Sequence, residues 1–254
     1  MASETELSGR IALVTGGGKG IGLATSLALA AAGAKTIVLD RDAAAGRAAA
    51  RLITEAGGTS EAVTCDIADT TATRRVVKDC VASHGRIDIL VNNASLGGGG
   101  AFEGVSEEEF DRLFAIDVRG TFFLTQSVVP AMKRHRFGRI VNIASLLAVK
   151  GAPGNPHYAG AKSALFGFAR AWAVELAPHG VTVNTVVPAL TPTPMTRAVM
   201  SDDELSARAR VLPMKRLGTP EDVAPLVVYL ASPAAEFVTG QAISPNGGEY
   251  VGPI

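Results

Sequence analysis

Short β-branched runs alternate with longer segments of helical periodicity from one end of this chain to the other, and that rhythm admits few folds. The runs are Ile11–Val14, Thr36–Leu39, Ala62–Thr64, Ile89–Val91, Ile140–Ile143, Val181–Val187 and Gln241–Ser244. Each is nearly continuous in apolar residues, which predicts strands buried on both faces. Between them, Ile21–Ala32, Ala43–Ala56, Thr71–Ser83, Glu107–Arg134, His157–Ala177 and Glu221–Ala231 carry helical spacing. The alternation predicts an α/β fold, a mostly parallel seven-stranded sheet with helices on both faces.

Helix punctuation agrees with these boundaries. Gly33, Gly57, Gly85 and Gly180 follow the helical segments, where the chain needs a left-handed residue. Ser106 and Glu109 have the spacing of a capping box, and Thr219-Pro220-Glu221-Asp222 supplies an N-cap, a first-turn proline and two acids. No linker or internal repeat divides the 254 residues, so one domain over 1–254 is expected. Pro188–Pro213 breaks the rhythm as a long irregular segment with room for one short helix, and residues 189–213 are expected to form a flap.

Composition removes several functional classes. The 24 basic and 24 acidic side chains cancel, which leaves no polybasic footprint for nucleic acid or an anionic membrane. Met1–Arg10 lacks the apolar core of a signal peptide and no stretch is long enough to span a bilayer, so a cytoplasmic protein is expected. Cys65 and Cys80 lack metal-ligand spacing and the four His are scattered, so no metal is expected.

The first strand runs into Thr15-Gly16-Gly17-Gly18-Lys19-Gly20-Ile21-Gly22 and then straight into a helix. Glycines there let the backbone approach a pyrophosphate, which the exposed amides of a helix start can bind. With a second strand following, the context is that of a dinucleotide site. Asp40 ends that second strand, where a carboxylate accepts both hydroxyls of an adenosine ribose and repels a 2′-phosphate, so NAD is expected over NADP. Lys19 and Arg41 complicate this, since each could approach such a phosphate. Alternatively, Arg41 stacks on adenine or is solvated, and Lys19 points to water.

Tyr158 and Lys162 stand four apart at the start of a helix, hence one turn apart on one face. A neighbouring ammonium favours the phenolate of a tyrosine that is otherwise a poor base near neutrality. Together with the Thr15–Gly22 turn, Asn92-Asn93-Ala94 after the fourth strand and Ser145 thirteen residues before the tyrosine, this pattern resembles the short-chain dehydrogenase/reductase superfamily. Cys65-Asp66-Ile67, Pro188-Ala189 with Thr193, Arg216–Glu221 and Val238–Gln241 extend the resemblance over nearly the whole chain.

The resemblance implies a Rossmann-type doubly wound fold and hydride transfer between a nicotinamide and a carbinol or carbonyl carbon. It makes Tyr158 the acid/base and Ser145 the hydrogen-bond donor to the reacting oxygen. Lys162 is then the partner of both Tyr158 and the nicotinamide ribose. Cofactor contacts are expected from Gly16, Gly18, Lys19, Gly20, Ile21, Gly22, Asp40, Arg41, Asp66, Ile67, Asn93, Ala94, Tyr158, Lys162, Pro188, Thr191 and Thr193. Three positions depart from the pattern: Asp117 stands for an asparagine, Ser95 for a glycine and Ala189 for a glycine. Asp117 is expected near Lys162 as part of the catalytic set, where the asparagine's relay water could still bond it and its charge would shift the pH response, or else turned toward a backbone amide.

Leu96–Ala101, Leu146–Ala148, Asn155–His157 and Ala189–Val211 are the expected pocket, mostly apolar, which suits a hydrophobic secondary alcohol or ketone. His157 is expected as a pocket wall or a solvated residue, and Trp172, Phe166 and Phe168 as packing or subunit contacts. The alternatives are a 3-oxoacyl-carrier reductase using NADPH and a non-catalytic nucleotide-binding regulator. Val174, where carrier reductases tend to have arginine, speaks against the first, and the intact Ser145/Tyr158/Lys162 set against the second. A homotetramer through the long helices is also implied.

Overall fold

Seven strands lie in the order β3-β2-β1-β4-β5-β6-β7, every neighbouring pair parallel, in a computed structural model that describes residues 6–254. The strands are β1 Ile11–Thr15, β2 Lys35–Asp40, β3 Thr59–Thr64, β4 Ile89–Asn92, β5 Gly138–Ile143, β6 Val181–Val186 and β7 Ala242–Ile243. Parallel neighbours need crossovers, and the helices α1 Gly20–Ala31, α2 Ala43–Glu55 and α3 Thr70–His84 supply the first of them. Chain direction across the sheet reverses between β1 and β4, which opens a crevice at their carboxyl ends.

Period-two alternation divides each central strand between two layers of helix. Leu13, Leu90, Ile140 and Val183 face the core that includes Val77 of α3, Leu124 and Val128 of α5 (Thr121–His135), and Ala169 and Leu176 of α7 (Pro156–Leu176). Their neighbours Val14, Ile89, Val91, Val141 and Val186 face the other core, with Leu29 of α1 and Val223, Val227 and Leu230 of α10 (Pro220–Ala231). β4, β5 and β6 are buried on both faces along their whole length, and β1 from Ala12 onward, as the sequence predicts, although β6 places Thr182, Asn184 and Thr185 among its buried residues.

Some sequence expectations need correction. The third strand is twice the expected length and only half-buried, because it lies at the sheet edge and its polar start, Thr59-Ser60-Glu61, tolerates solvent. The single helix expected over Glu107–Arg134 is broken: α4 Glu107–Phe114 and α5 are joined by a π-helical turn, Ala115–Gly120. That turn presses on the loop after β3, and a Cβ at Gly120 would lie 2.6 Å from the Ile67 carbonyl oxygen. Only half of the Ser106 capping box forms, since Glu109 donates its amide to Ser106 Oγ (3.2 Å) while its carboxylate turns toward His157. The irregular segment 188–213 holds two helices, α8 Pro194–Arg197 and α9 Asp202–Val211, the latter opened by a full Ser201/Glu204 capping box.

All four helix-ending glycines have positive φ. A one-turn helix, α6 Leu147–Lys150, lies between β5 and α7. Among the described residues no helix is long and apolar enough to cross a membrane, and no cluster of three or more His, Cys, Asp or Glu could hold a metal ion. The first half of Met1–Arg10, residues 1–5, lies outside the described residues.

Candidate active site

The glycine turn sits at the carboxyl end of β1, in the crevice. Gly16 and Gly20 have φ of +59° and +54°, conformations that other residues rarely adopt. Gly22 is required for another reason: a Cβ there would lie 2.1 Å from the Gly16 carbonyl oxygen. Side chains cap α2 and α3 at their N-termini, through Asp42 and Asp69. Lys19, at the same position of α1, makes no such cap, so the first amides of α1 are left for an anion.

Asp40, the last residue of β2, braces this turn. One carboxylate oxygen accepts from the Gly18 amide (2.9 Å) and the other from the Asp42 amide (2.9 Å). Lys19 is not free: its Nζ pairs with Asp42 Oδ2 at 2.7 Å. The Lys19 hydrogen bond and two backbone amides of α2 hold the Asp42 carboxyl at about 2, and the same pair raises Lys19. Lys19 remains largely exposed and lines the cleft, with Asp42 as a partner the sequence did not indicate, and Arg41 is exposed as well. From β4, Asn93 Nδ2 donates to the carbonyls of Thr15 (2.8 Å) and Gly16 (3.1 Å), and Thr15 Oγ1 accepts from the Asn93 and Ala94 amides (2.9 Å each).

Tyr158 and Lys162 occupy the first two turns of α7, with Lys162 Nζ 5.8 Å from the centre of the Tyr158 ring. Lys162 is 3% exposed and donates to the Ile143 carbonyl at 3.1 Å. Its other partner is Asp117, on the π-helical turn, whose Oδ2 lies 3.1 Å from Nζ. Burial works to lower the lysine, but the charges of Asp117 and Tyr158 and the Asp117 hydrogen bond outweigh it, and Lys162 stands above its ordinary value. Asp117 thus lies beside Lys162, as expected, and is also turned toward a backbone amide, since Oδ1 accepts from Leu96 at 3.0 Å.

One cleft of about 270 Å³ collects Gly16, Lys19, Gly20, Ile21, Asp40, Arg41, Asp66, Ile67, Asn93, Ala94, Tyr158, Lys162 and Thr193. Gly18, Gly22, Asp117, Ser145, Pro188 and Thr191 do not line it. Gly18 and Gly22 act within the turn, and Asp117 stands behind Lys162. Ser145 lies two residues beyond β5, next to the cleft-lining Ala144, and its Oγ accepts from the Leu147 amide at 3.2 Å. The Pro188 carbonyl accepts from Leu146, and buried Thr191 bonds the Ala189 carbonyl.

Leu39, Ser95, Ile116 and Pro194 also line the cleft without having been expected as cofactor contacts. Ile116 arrives there because of the π-helical turn, which no periodicity announces. His157 is neither solvated nor a cleft wall. It is buried, 3.5 Å from Glu109 Oε1, under a glycine run where a Cβ on Gly98 would come within 2.8 Å of its Nε2. Phe168 stacks on Trp172 at 5.0 Å and both meet Phe122, as expected of packing residues.

Comparison with known proteins places these features in a family. Residues 16–249 match the family model described as Enoyl-(Acyl carrier protein) reductase. The short-chain reductase protein NovJ of Streptomyces niveus is 38% identical over 244 residues, covering 94% of this chain and 93% of that protein. The 3-oxoacyl-[acyl-carrier-protein] reductase FabG of Thermotoga maritima is 37% identical over 245 residues, covering 95% and 98%. Among solved structures, a putative NAD(P)-dependent gluconate 5-dehydrogenase from Beutenbergia cavernae, with bound NADP, superposes with a TM-score of 0.91. It is 38% identical and covers 95% of this chain and 97% of its own.

Proposed function

The chain belongs to the short-chain dehydrogenase/reductase superfamily of oxidoreductases, and on that premise we propose that it interconverts a hydrophobic secondary alcohol and its ketone with NAD(H). The observation that carries this reading is the single cleft holding the glycine turn and Asp40 at one end and Tyr158 with Lys162 at the other. The uncapped start of α1 and the glycine cradle suit a dinucleotide pyrophosphate. A bound nicotinamide supplies or accepts the hydride. Asp40 takes the adenosine ribose, Asp66 and Ile67 the adenine, and Asn93, Ala94, Pro188, Thr191 and Thr193 the nicotinamide side.

Tyr158 gives its phenolic proton to the carbonyl oxygen in reduction and takes it back in oxidation. Ser145 Oγ already accepts from Leu147, which leaves its own proton to donate to the same oxygen. Lys162 has two N–H groups engaged by Asp117 and Ile143, leaving one for the cofactor ribose or the tyrosine. Residues 189–213 serve as the substrate flap, with Thr193, Pro194 and Met195 on the cleft wall.

Asp40 and the Lys19–Asp42 pair support NAD. A 2′-phosphate arriving here meets a carboxylate, and the nearest lysine already has Asp42 as a partner. A second reading, reduction of 3-oxoacyl thioesters on a carrier with NADPH, draws on the FabG relative. Against it, Val174 on α7 is 80% exposed where a cation would greet an acidic carrier, and His135 and Arg136 are tied to backbone carbonyls. Assembly as a cytoplasmic homotetramer through α5 and α7 completes the proposal, with light scattering as its test.

Initial rates by nicotinamide absorbance, with secondary alcohols, ketones and 3-oxoacyl thioesters against NAD(H) and NADP(H), decide between the readings. Turnover of free ketones with NADH is expected, lost in Tyr158→Phe. Turnover of thioesters with NADPH alone would establish the second reading, and equal turnover in Tyr158→Phe would sink both.

A further inference from the structure

Two residues that depart from the family pattern, Ser95 on the cleft wall and Asp117 buried behind Lys162, touch each other. Ser95 Oγ lies 2.6 Å from Asp117 Oδ2, and the Leu96 carbonyl, its other acceptor, is at 3.1 Å. A hydroxyl has one proton, and the closer, charged acceptor takes it. Asp117 Oδ2 therefore stands between the Ser95 hydroxyl and Lys162 Nζ, while Oδ1 is fixed by the Leu96 amide. Asp117 is 1% exposed, so no bulk water competes for these bonds.

We propose that Ser95 and Asp117 are a positioning pair for Lys162, in which the Ser95 hydroxyl, acting through the Asp117 carboxylate, keeps the buried lysine charged and in place. The inference rests on Lys162 being the partner of an acid/base Tyr158. A buried ammonium with only carbonyl partners is poorly held, because desolvation disfavours its charge. Asp117 supplies the opposing charge, and Ser95 with Leu96 fixes both of its oxygens, so the carboxylate cannot swing away from Nζ. An asparagine in its place brings no charge, and with its carbonyl on the Leu96 amide it turns N–H toward N–H at Lys162.

The other charged groups around this site are already engaged or remote. On α4, Glu109 faces His157. Arg119 of the π-helical turn reaches the Ala68 carbonyl and the Phe123 ring, Lys150 of α6 pairs with Glu249, and β6 carries no ionisable residue. His179 lies just past the opposite end of α7, and Lys19, Asp40, Arg41 and Asp66 belong to the cofactor end of the cleft.

The test is the titration of Lys162 itself, followed by NMR of ¹³Cε-labelled lysine in the intact protein, beside the pH profile of kcat. Asp117→Asn is expected to bring the Lys162 titration, and with it the alkaline loss of kcat, down by about one pH unit or more. Ser95→Ala is expected to give a smaller fall in the same direction, and no further fall when combined with Asp117→Asn. An unchanged Lys162 titration in Asp117→Asn, or a Ser95→Ala effect equal with and without Asp117→Asn, overturns the proposal. If Asp117→Asn does not fold, Ser95→Ala decides alone, and an unmoved titration refutes it. Because the lysine signal needs no turnover, a protein inactive on every carbonyl tested refutes the proposed function and still reports on this pair.

Discussion

Replacing Gly22 by alanine tests the glycine turn at its tightest point. The new Cβ would lie 2.1 Å from the Gly16 carbonyl oxygen, 2.5 Å from Asn93 Nδ2 and 2.9 Å from the Gly16 carbonyl carbon. Ordinary contacts begin at about 3.4 Å, so the turn and α1 must part by roughly 1 Å. Two of the three atoms are backbone and the third anchors Thr15 and Gly16 to β4, so no flexible side-chain end can absorb the shift. Overpacking of this kind costs about 1–3 kcal/mol. For a chain of this size that is a fall in Tm of about 2–12 °C. Because the displaced atoms form the cradle, KM for the dinucleotide should rise at least about tenfold, the kinetic equivalent of about 1.4 kcal/mol. Gly99→Ala is the control, since nothing lies within 4 Å of its Cβ position and its φ is not positive. Differential scanning calorimetry and cofactor saturation curves on both variants read the result. If Gly22→Ala melts and binds like Gly99→Ala, the close approach of turn to helix is not what requires glycine there.

Further outcomes follow from other contacts. Asp40→Ala removes the ribose acceptor and two bonds that brace the turn, so kcat/KM for NAD should fall at least about tenfold. It should not create NADP use until Asp42→Ala also releases Lys19, as parallel kinetics with both cofactors will show. Burial holds the Cys80 thiol up at about 11 and also raises Cys65. Both therefore stay protonated at pH 8, and a disulfide reagent should find neither thiol until guanidinium exposes two; rapid native labelling contradicts this. Leu124→Ala empties a fully buried site between α5 and the sheet and should cost about 2–5 kcal/mol in chemical denaturation, with cofactor KM unchanged.

Features carried by local geometry are readable from the residues. Tyr158 and Lys162 lie one turn apart because any helix places them so, and Gly85 ends α3 because the chain there needs positive φ. The central strands stand out because burial on both faces leaves a continuous apolar run. The same rule cuts the edge strand β3 short, since its exposed start obeys no such constraint. The break at Ala115–Gly120 leaves no trace in the periodicity, because a π-helical turn adds its extra residue without changing composition.

Order along the chain thus determined the α/β class, the position of the crevice-forming turn and the residues fit for acid/base work. The family pattern put Asp117 near Lys162, but which other groups join that pair, and which charges meet elsewhere, was decided only by the tertiary fold. Ser95 and Asp117 are 22 residues apart and Lys162 lies on another helix, yet all three join in one buried cluster. Lys19 meets Asp42 across the start of α2, and His157 closes on Glu109 beneath the glycine run. Hydrogen bonds and ion pairs act over about 3 Å, and only the packing of α4, α5 and α7 against the sheet brings such distant residues that close.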